Sequence, residues 1–99
     1  MSKRSRVAIH PGEFLVEILT ELEITQAEFA RAIGVSAMRV SHVVKGTRPV
    51  TAELALRFSK ALGQTAEYWI NLQAAYDLAT ARNVVGQNLK KVQLLPHVA

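Results

Sequence analysis

Arg39, Ser41, His42, Lys45 and Arg48 set cationic heads beside neutral hydrogen-bonding groups, and no carboxylate interrupts the segment from Val35 to Thr51. Such a set makes and breaks no bonds by itself. It suits a polyanion whose surface also offers hydrogen-bonding edges, because the cations answer the charge while hydroxyl, imidazole and guanidinium groups read the pattern. Enzyme chemistry has no comparable set. No Ser/His/Asp, paired-acid or phosphate-loop arrangement stands at usable spacing, and His42 has no sequence neighbour that could orient it as a base, so neither catalysis nor a catalytic residue is expected. The three histidines lie far apart and there are no cysteines, which excludes disulfides and thiolate zinc sites; no metal site and no cofactor are expected.

The elements that must position this set are legible in its flanks. Thr25 is a good N-cap and Glu28 three residues on completes a capping box, so the spacing predicts a helix over Gln26–Ile33 with Phe29, Ala30 and Ile33 inward. Gly34 follows the last apolar residue, where the left-handed backbone is cheapest without a Cβ. Ser36 then caps a second helix, carrying Val40, Val43 and Val44 and ending at Gly46. A small residue, Ala30, sits where the two helices must cross closely. This is the pattern of a helix-turn-helix, with an ordinary helical hairpin as the plainer alternative. Its second helix leaves Ala37, Met38, Arg39, Ser41, His42 and Lys45 off the apolar face, and the major groove of B-DNA is wide enough to admit that surface.

Around this pair the chain reads as further helices. His10 precedes Pro11-Gly12 and is read as a capping or turn residue; a first helix follows over residues 12–22, with Phe14, Leu15, Ile18, Leu19 and Leu22 inward. Thr51 caps a fourth helix that buries Leu54, Ala55, Phe58 and Leu62, has Glu53 near its positive end and stops at Gly63. Thr65 opens a fifth, over residues 66–82, with Trp69, Leu72, Tyr76 and Ala79 on one line and Tyr68, Ile70 and Ala75 beside it. That apolar surface is wider than one small core needs. A symmetric dimer seam built from Tyr68, Trp69, Leu72 and Tyr76, with Gln73 and Asn71 as polar contacts, is expected. Beyond residue 82, Val84-Val85 and Val92 to Leu95 leave short strands, extended segments against a partner subunit and a frayed tail all open.

Ninety-nine residues, 49% hydrophobic, make one domain, divided here into an arm over residues 1–9, a helical domain over 10–82 and a tail over 83–99. No run of about eighteen apolar residues could span a bilayer, and the first residues lack the apolar stretch of a secretory signal, so a cytoplasmic protein without membrane contact is the expectation. The net charge of +4 is placed unevenly: Lys3, Arg4 and Arg6 crowd the start, and Arg39, Lys45 and Arg48 lie on or just after the second helix of the pair. Glu13, Glu17 and Glu21, at i, i+4 and i+8, form an acidic stripe on the first helix. Such a stripe is a solvated face or, on the sharper reading, a surface for a basic protein.

The strings IHPGEFL, TQAEFARAIGVS, RVSHVVKGTRPVTAELALRFSKALG and EYWINLQAAYDLATAR resemble the HigA-type antitoxins, a branch of the Xre-like helix-turn-helix repressors, over residues 9–82. The HPGE opening and the YWINLQ stretch are the parts most particular to that branch. The resemblance implies an all-α, five-helix, lambda-repressor-like domain with a short C-terminal extension, which dimerises through its C-terminal region. It also implies repression of its own toxin–antitoxin operon and neutralisation of a HigB-like toxin, a small RelE-like ribonuclease. By position it makes Gln26 a phosphate contact, Ser36, Ala37, Met38, Arg39, Ser41 and His42 groove-facing, and Lys45 and Arg48 backbone contacts. Ala37 and Met38 depart from the side chains more usual there, so base preference does not carry over. A stand-alone repressor and an interaction module that has lost DNA binding are the competing readings.

Base reading falls mainly to Arg39, whose planar fork can pair with O6 and N7 of guanine; a phosphate clamp is its alternative role. Ala37 and Met38 offer only apolar contact, and Ser41 and His42 can bond to base edge or phosphate. One such domain covers too little DNA to grip it tightly, so two copies on a palindromic operator are expected.

Overall fold

Local capping dictates where each helix of this chain starts. The computed structural model describes residues 9–96 and contains α1 (Pro11–Leu22), α2 (Gln26–Ile33), α3 (Ala37–Val44), α4 (Ala52–Leu62) and α5 (Ala66–Leu89). The basic cluster Lys3, Arg4 and Arg6, and with it nearly all of the expected arm, lies outside the described residues. At the start of α2, Thr25 Oγ1 accepts from the Glu28 N–H at 3.0 Å while the Thr25 N–H donates to Glu28 Oε1 at 2.8 Å, the reciprocal pair the sequence predicts. Hydrogen bonds to it from the Thr25 backbone N–H and the Thr25 hydroxyl hold the Glu28 carboxyl below the usual glutamate range. Ser36, Thr51 and Thr65 cap α3, α4 and α5 through their hydroxyls. Helix α1 starts on His10, whose Nδ1 accepts the Gly12 N–H at 2.9 Å, with Pro11 in the first turn where its missing N–H costs nothing.

The helices close on one core of Leu15 and Leu19 from α1, Phe29, Ala30 and Ile33 from α2, Val40 and Val43 from α3, Leu54, Ala55 and Phe58 from α4, Trp69 from α5 and Val50 from the loop before α4. Phe58 is its pivot, tilted on Phe29 at 5.4 Å and edge-on to Trp69 at 5.1 Å. Burying each of these large side chains contributes about 1.5–3 kcal/mol, so α1, α4 and α5 together hold the α2–α3 pair rigidly. Gly12 sets the closest approach: a Cβ there would overlap the backbone carbonyl of Val43. The start of α1 can therefore lie on the end of α3 only because residue 12 has no side chain.

Three expectations need correction. Leu22 is 52% exposed, not inward, because the chain reverses at Glu23 in the left-handed region and brings Ile24 against the core in its place. Helix α1 also begins one residue earlier, at Pro11. The fifth helix does not end near residue 82 but continues to Leu89, so Val84 and Val85 are helical and the strand reading fails there. Gly86 and two β-branched valines argued against a helix locally, yet Gly86 has open space around it and costs only about 1 kcal/mol relative to alanine. Val92 to Leu95 form no regular element and are exposed. The 24 residues of α5 outrun the other helices, and the molecule measures 53 Å on its longest axis. No helix among the described residues is long and apolar enough to cross a membrane.

Candidate nucleic-acid interface

The turn between α2 and α3 is built from Gly34 at φ 78°, which lets the Val35 N–H return to the Ala30 carbonyl at 3.0 Å. Beneath it, Arg57 of α4 donates from Nη1 to the Ile33 carbonyl at 2.7 Å, a cation closing the negative end of α2. At the other end of α3, Gly46 at φ 79° turns the chain, and the Thr47 and Arg48 N–H groups both return to the His42 carbonyl. Val40 and Val43 are fully buried, so the opposite side of α3 has no choice but to face outward.

That outward side brings most of the expected residues together. Met38, Arg39, His42 and Arg48 line, with the Ser36 cap and Pro49, a shallow groove of about 380 Å³ between α3 and the start of α4. Met38 is 68% exposed, and Ala37 and Lys45 are exposed at the two ends of α3. Ser41 and His42 are half-buried, and Gln26 is exposed at the first position of α2, outside the groove. The Ser36 hydroxyl accepts the Arg39 N–H at 3.1 Å, which starts the helix and leaves its own O–H as a donor on the exposed side.

One feature of the groove was not foreseen. Arg39 Nη2 stands 3.1 Å from Oε1 of Glu53, whose Oε2 stands 3.0 Å from Arg57. The sequence carried half the signal, Glu53 and Arg57 at i and i+4; the link to Arg39 spans fourteen residues and is not a local pattern. The two arginines, Arg39 foremost, hold the Glu53 carboxyl below the usual range.

Behind the interface, His10 is the keystone its capping role implied. Its ring packs edge-on to Tyr76 of α5 at 4.9 Å and lies under Gly46. Burial pushes its pKa down, opposed by a hydrogen bond to the Arg48 backbone and by the nearby Asp77 and Glu13 carboxylates. Gln73 extends the same support, accepting the Val50 N–H at 2.7 Å and donating to Asp77 at 2.9 Å.

This corrects the expected dimer seam. Trp69 is 0% exposed in the protomer's own core, and Gln73 is buried with both ends of its amide engaged, so neither is offered to a second subunit. Leu72 is half-buried against the core, and Tyr76 is half-buried on His10. Of the expected six only Tyr68, 37% exposed with its ring edge-on to Trp69, and Asn71 are exposed. Exposed apolar side chains lie further along: among the described residues Leu78, Val85 and Leu89, at i, i+7 and i+11, fall on one stripe of α5 and are exposed. Glu13, Glu17 and Glu21 are all exposed on α1. No group of three or more histidine, aspartate or glutamate side chains placed to hold a metal ion occurs among the described residues.

Two short capped helices crossing at a glycine turn, the second presenting a basic face, define a helix-turn-helix domain, and the Helix-turn-helix family model matches residues 15–69. The relatives are narrower. Antitoxin HigA-1 of Vibrio cholerae is 38% identical over 96 residues, covering 96% of this chain and 90% of that protein. The structure of Pseudomonas aeruginosa antitoxin HigA with the higBA promoter superposes with a TM-score of 0.85 at 38% identity, over 93% of this chain and all of that one. That of an addiction module antidote protein of the HigA family from Coxiella burnetii superposes with a TM-score of 0.84 at 37% identity, over 91% of this chain and 98% of that one. The chain belongs to the HigA-type antitoxins of the Xre-like helix-turn-helix family.

Proposed function

We propose that this chain binds double-stranded DNA by laying the outward face of α3 in the major groove, represses its own toxin–antitoxin operon as a homodimer on a palindromic operator, and neutralises a RelE-like, HigB-type ribonuclease toxin. The observation that carries the DNA reading is the groove itself, where Met38, Arg39, His42 and Arg48 converge on a helix whose other side is locked in the core. The Pseudomonas aeruginosa relative, of the same fold at 38% identity, has been captured with its promoter. Within the interface, Arg39 reads a base edge, Ser41 and His42 bond to base or phosphate, Ala37 and Met38 make apolar contact such as with a thymine methyl, and Gln26, Lys45 and Arg48 take the phosphates. Two α3 helices about 34–36 Å apart would occupy successive major grooves on one side of the duplex.

Dimerisation is assigned to the far half of α5, where Leu78, Val85 and Leu89 are exposed on one stripe. A protein that reads DNA in this way works in the compartment holding it, the bacterial cytoplasm. The toxin, a basic protein by this reading, meets the acidic stripe of Glu13, Glu17 and Glu21.

Fluorescence anisotropy with a 30-base-pair duplex from the DNA upstream of its own gene tests the first part. Binding that outlasts competition from scrambled duplex supports it, whereas equal affinity for both overturns it. Co-expression with the adjacent gene tests the second: rescue of growth and co-purification of a complex are expected, and reversing Glu13, Glu17 and Glu21 to lysine should abolish the complex while leaving DNA binding intact.

A further inference from the structure

We propose that Glu53 is a specificity-determining residue of the DNA interface, a neighbouring surface carboxylate that disfavours Arg39 as an indiscriminate phosphate clamp and leaves its fork for a base edge. The proposal rests on the reading that α3 enters the major groove.

Glu53 sits in the first turn of α4, between two guanidinium groups that are not equivalent. Arg57 is committed to the fold: Nη1 holds the Ile33 carbonyl at 2.7 Å, and Nε meets Glu53 Oε2 at 3.0 Å. That arginine therefore fixes the carboxylate in place. Arg39 is the free member, reaching Glu53 Oε1 through Nη2 alone, from a helix whose outward face carries no acid. Carboxylate and phosphate oxygens ask the same thing of a guanidinium, charge and paired acceptors. A phosphate that takes Arg39 approaches against the charge of that carboxylate on any DNA sequence. A guanine edge is different. O6 and N7 are neutral acceptors, and Arg39 has five N–H donors, of which the Glu53 contact occupies one, so a base edge can be read without breaking the ion pair. Glu53 thus costs more on random DNA than on an operator, which is what raises discrimination.

The test is salt-titrated anisotropy on two probes, the 30-base-pair upstream duplex and a scrambled duplex of equal composition, with wild type, Glu53→Gln, Arg39→Ala and the double variant. Removing the charge should tighten scrambled-duplex binding about fivefold and steepen its salt slope by about one unit, while upstream-duplex affinity rises less than about twofold. The specificity ratio falls accordingly. In the Arg39→Ala background the same substitution should leave the ratio unmoved, which a merely structural role for Glu53 would not predict. A ratio that is unchanged or higher in Glu53→Gln, a fall that persists without Arg39, or equal weakening on both probes overturns the proposal. The wild-type ratio stands apart from these outcomes: if wild type itself shows no preference for the upstream duplex, it is the DNA-reading assignment that fails.

Discussion

The two halves of α5 carry similar apolar side chains to opposite ends. In the near half Trp69 is wholly buried, Leu72 and Tyr76 are half-buried, and even Gln73 is drawn inside to hold the Val50 N–H. In the far half Leu78, Val84, Val85 and Leu89 stand in solvent. Nothing in their chemistry separates a core leucine from an exposed one; what separates them is whether the other described elements pack against that part of the helix. The near half is thus part of the scaffold that aims α3, and the far half, exposed among the described residues, is the face proposed for a second copy of the chain.

The contrast is open to direct attack. Trp69→Ala should cost about 3–5 kcal/mol in a denaturant melt, since it empties the space between Phe58 and Tyr68, whereas Leu89→Ala in a monomeric background should stay within about 0.5 kcal/mol. Equal losses would erase the distinction between the halves. Replacing Val85 and Leu89 together by aspartate should convert a dimer to a monomer by light scattering without lowering the monomer's stability, and should weaken upstream-DNA binding far more than a single-site contact does. A wild-type protein that is itself strictly monomeric would remove the seam from the far half.

Smaller effects sharpen the picture of the scaffold. Arg48→Ala should flatten the salt dependence of DNA binding by about one unit of slope, equally on every sequence, as a phosphate contact requires. His10 gives a pH signature. Its pKa is lowered in the fold by burial, so its neutral form is favoured there; that stability is fully present above the ordinary histidine value of about 6.5 and is lost as pH falls from there through the lowered value. Thermal melts between pH 7 and 5 should show that loss, and His10→Asn, which keeps a capping acceptor, should flatten it. Glu28 and Glu53, both lowered, add their own loss as pH falls below the ordinary glutamate value of about 4.5.

What could be read beforehand follows the range of the interaction. The caps at Thr25, Ser36, Thr51 and Thr65, the turn at Gly34 and the inward valines of α3 depend on neighbours within four residues, so their pattern is written locally. The α3 face emerged for the same reason: once Val40 and Val43 are inward, Met38, Arg39 and His42 have only one other way to point. The Arg39–Glu53 pair and the Gln73–Val50 bond span fourteen and twenty-three residues, and no periodicity announces them. Gln73 reads as a seam contact in sequence because a polar residue on an apolar helix looks the same whether it meets a partner subunit or a loop of its own chain. The reach of α5 past residue 82 is not legible in sequence because Gly86 and the valine pair disfavour a helix locally by amounts that its length absorbs.

Interference by 7-deazaguanine tests most directly whether α3 lies in the major groove with Arg39 at a guanine. Substituting each guanine of the upstream duplex in turn removes the N7 acceptor without altering the phosphates. One symmetry-related pair of positions should weaken wild-type binding by about tenfold, within the 1–3 kcal/mol of a bidentate base contact, and have no effect on Arg39→Ala. Uniform indifference to the substitution, with tight binding throughout, would contradict the account and return Arg39 to the backbone.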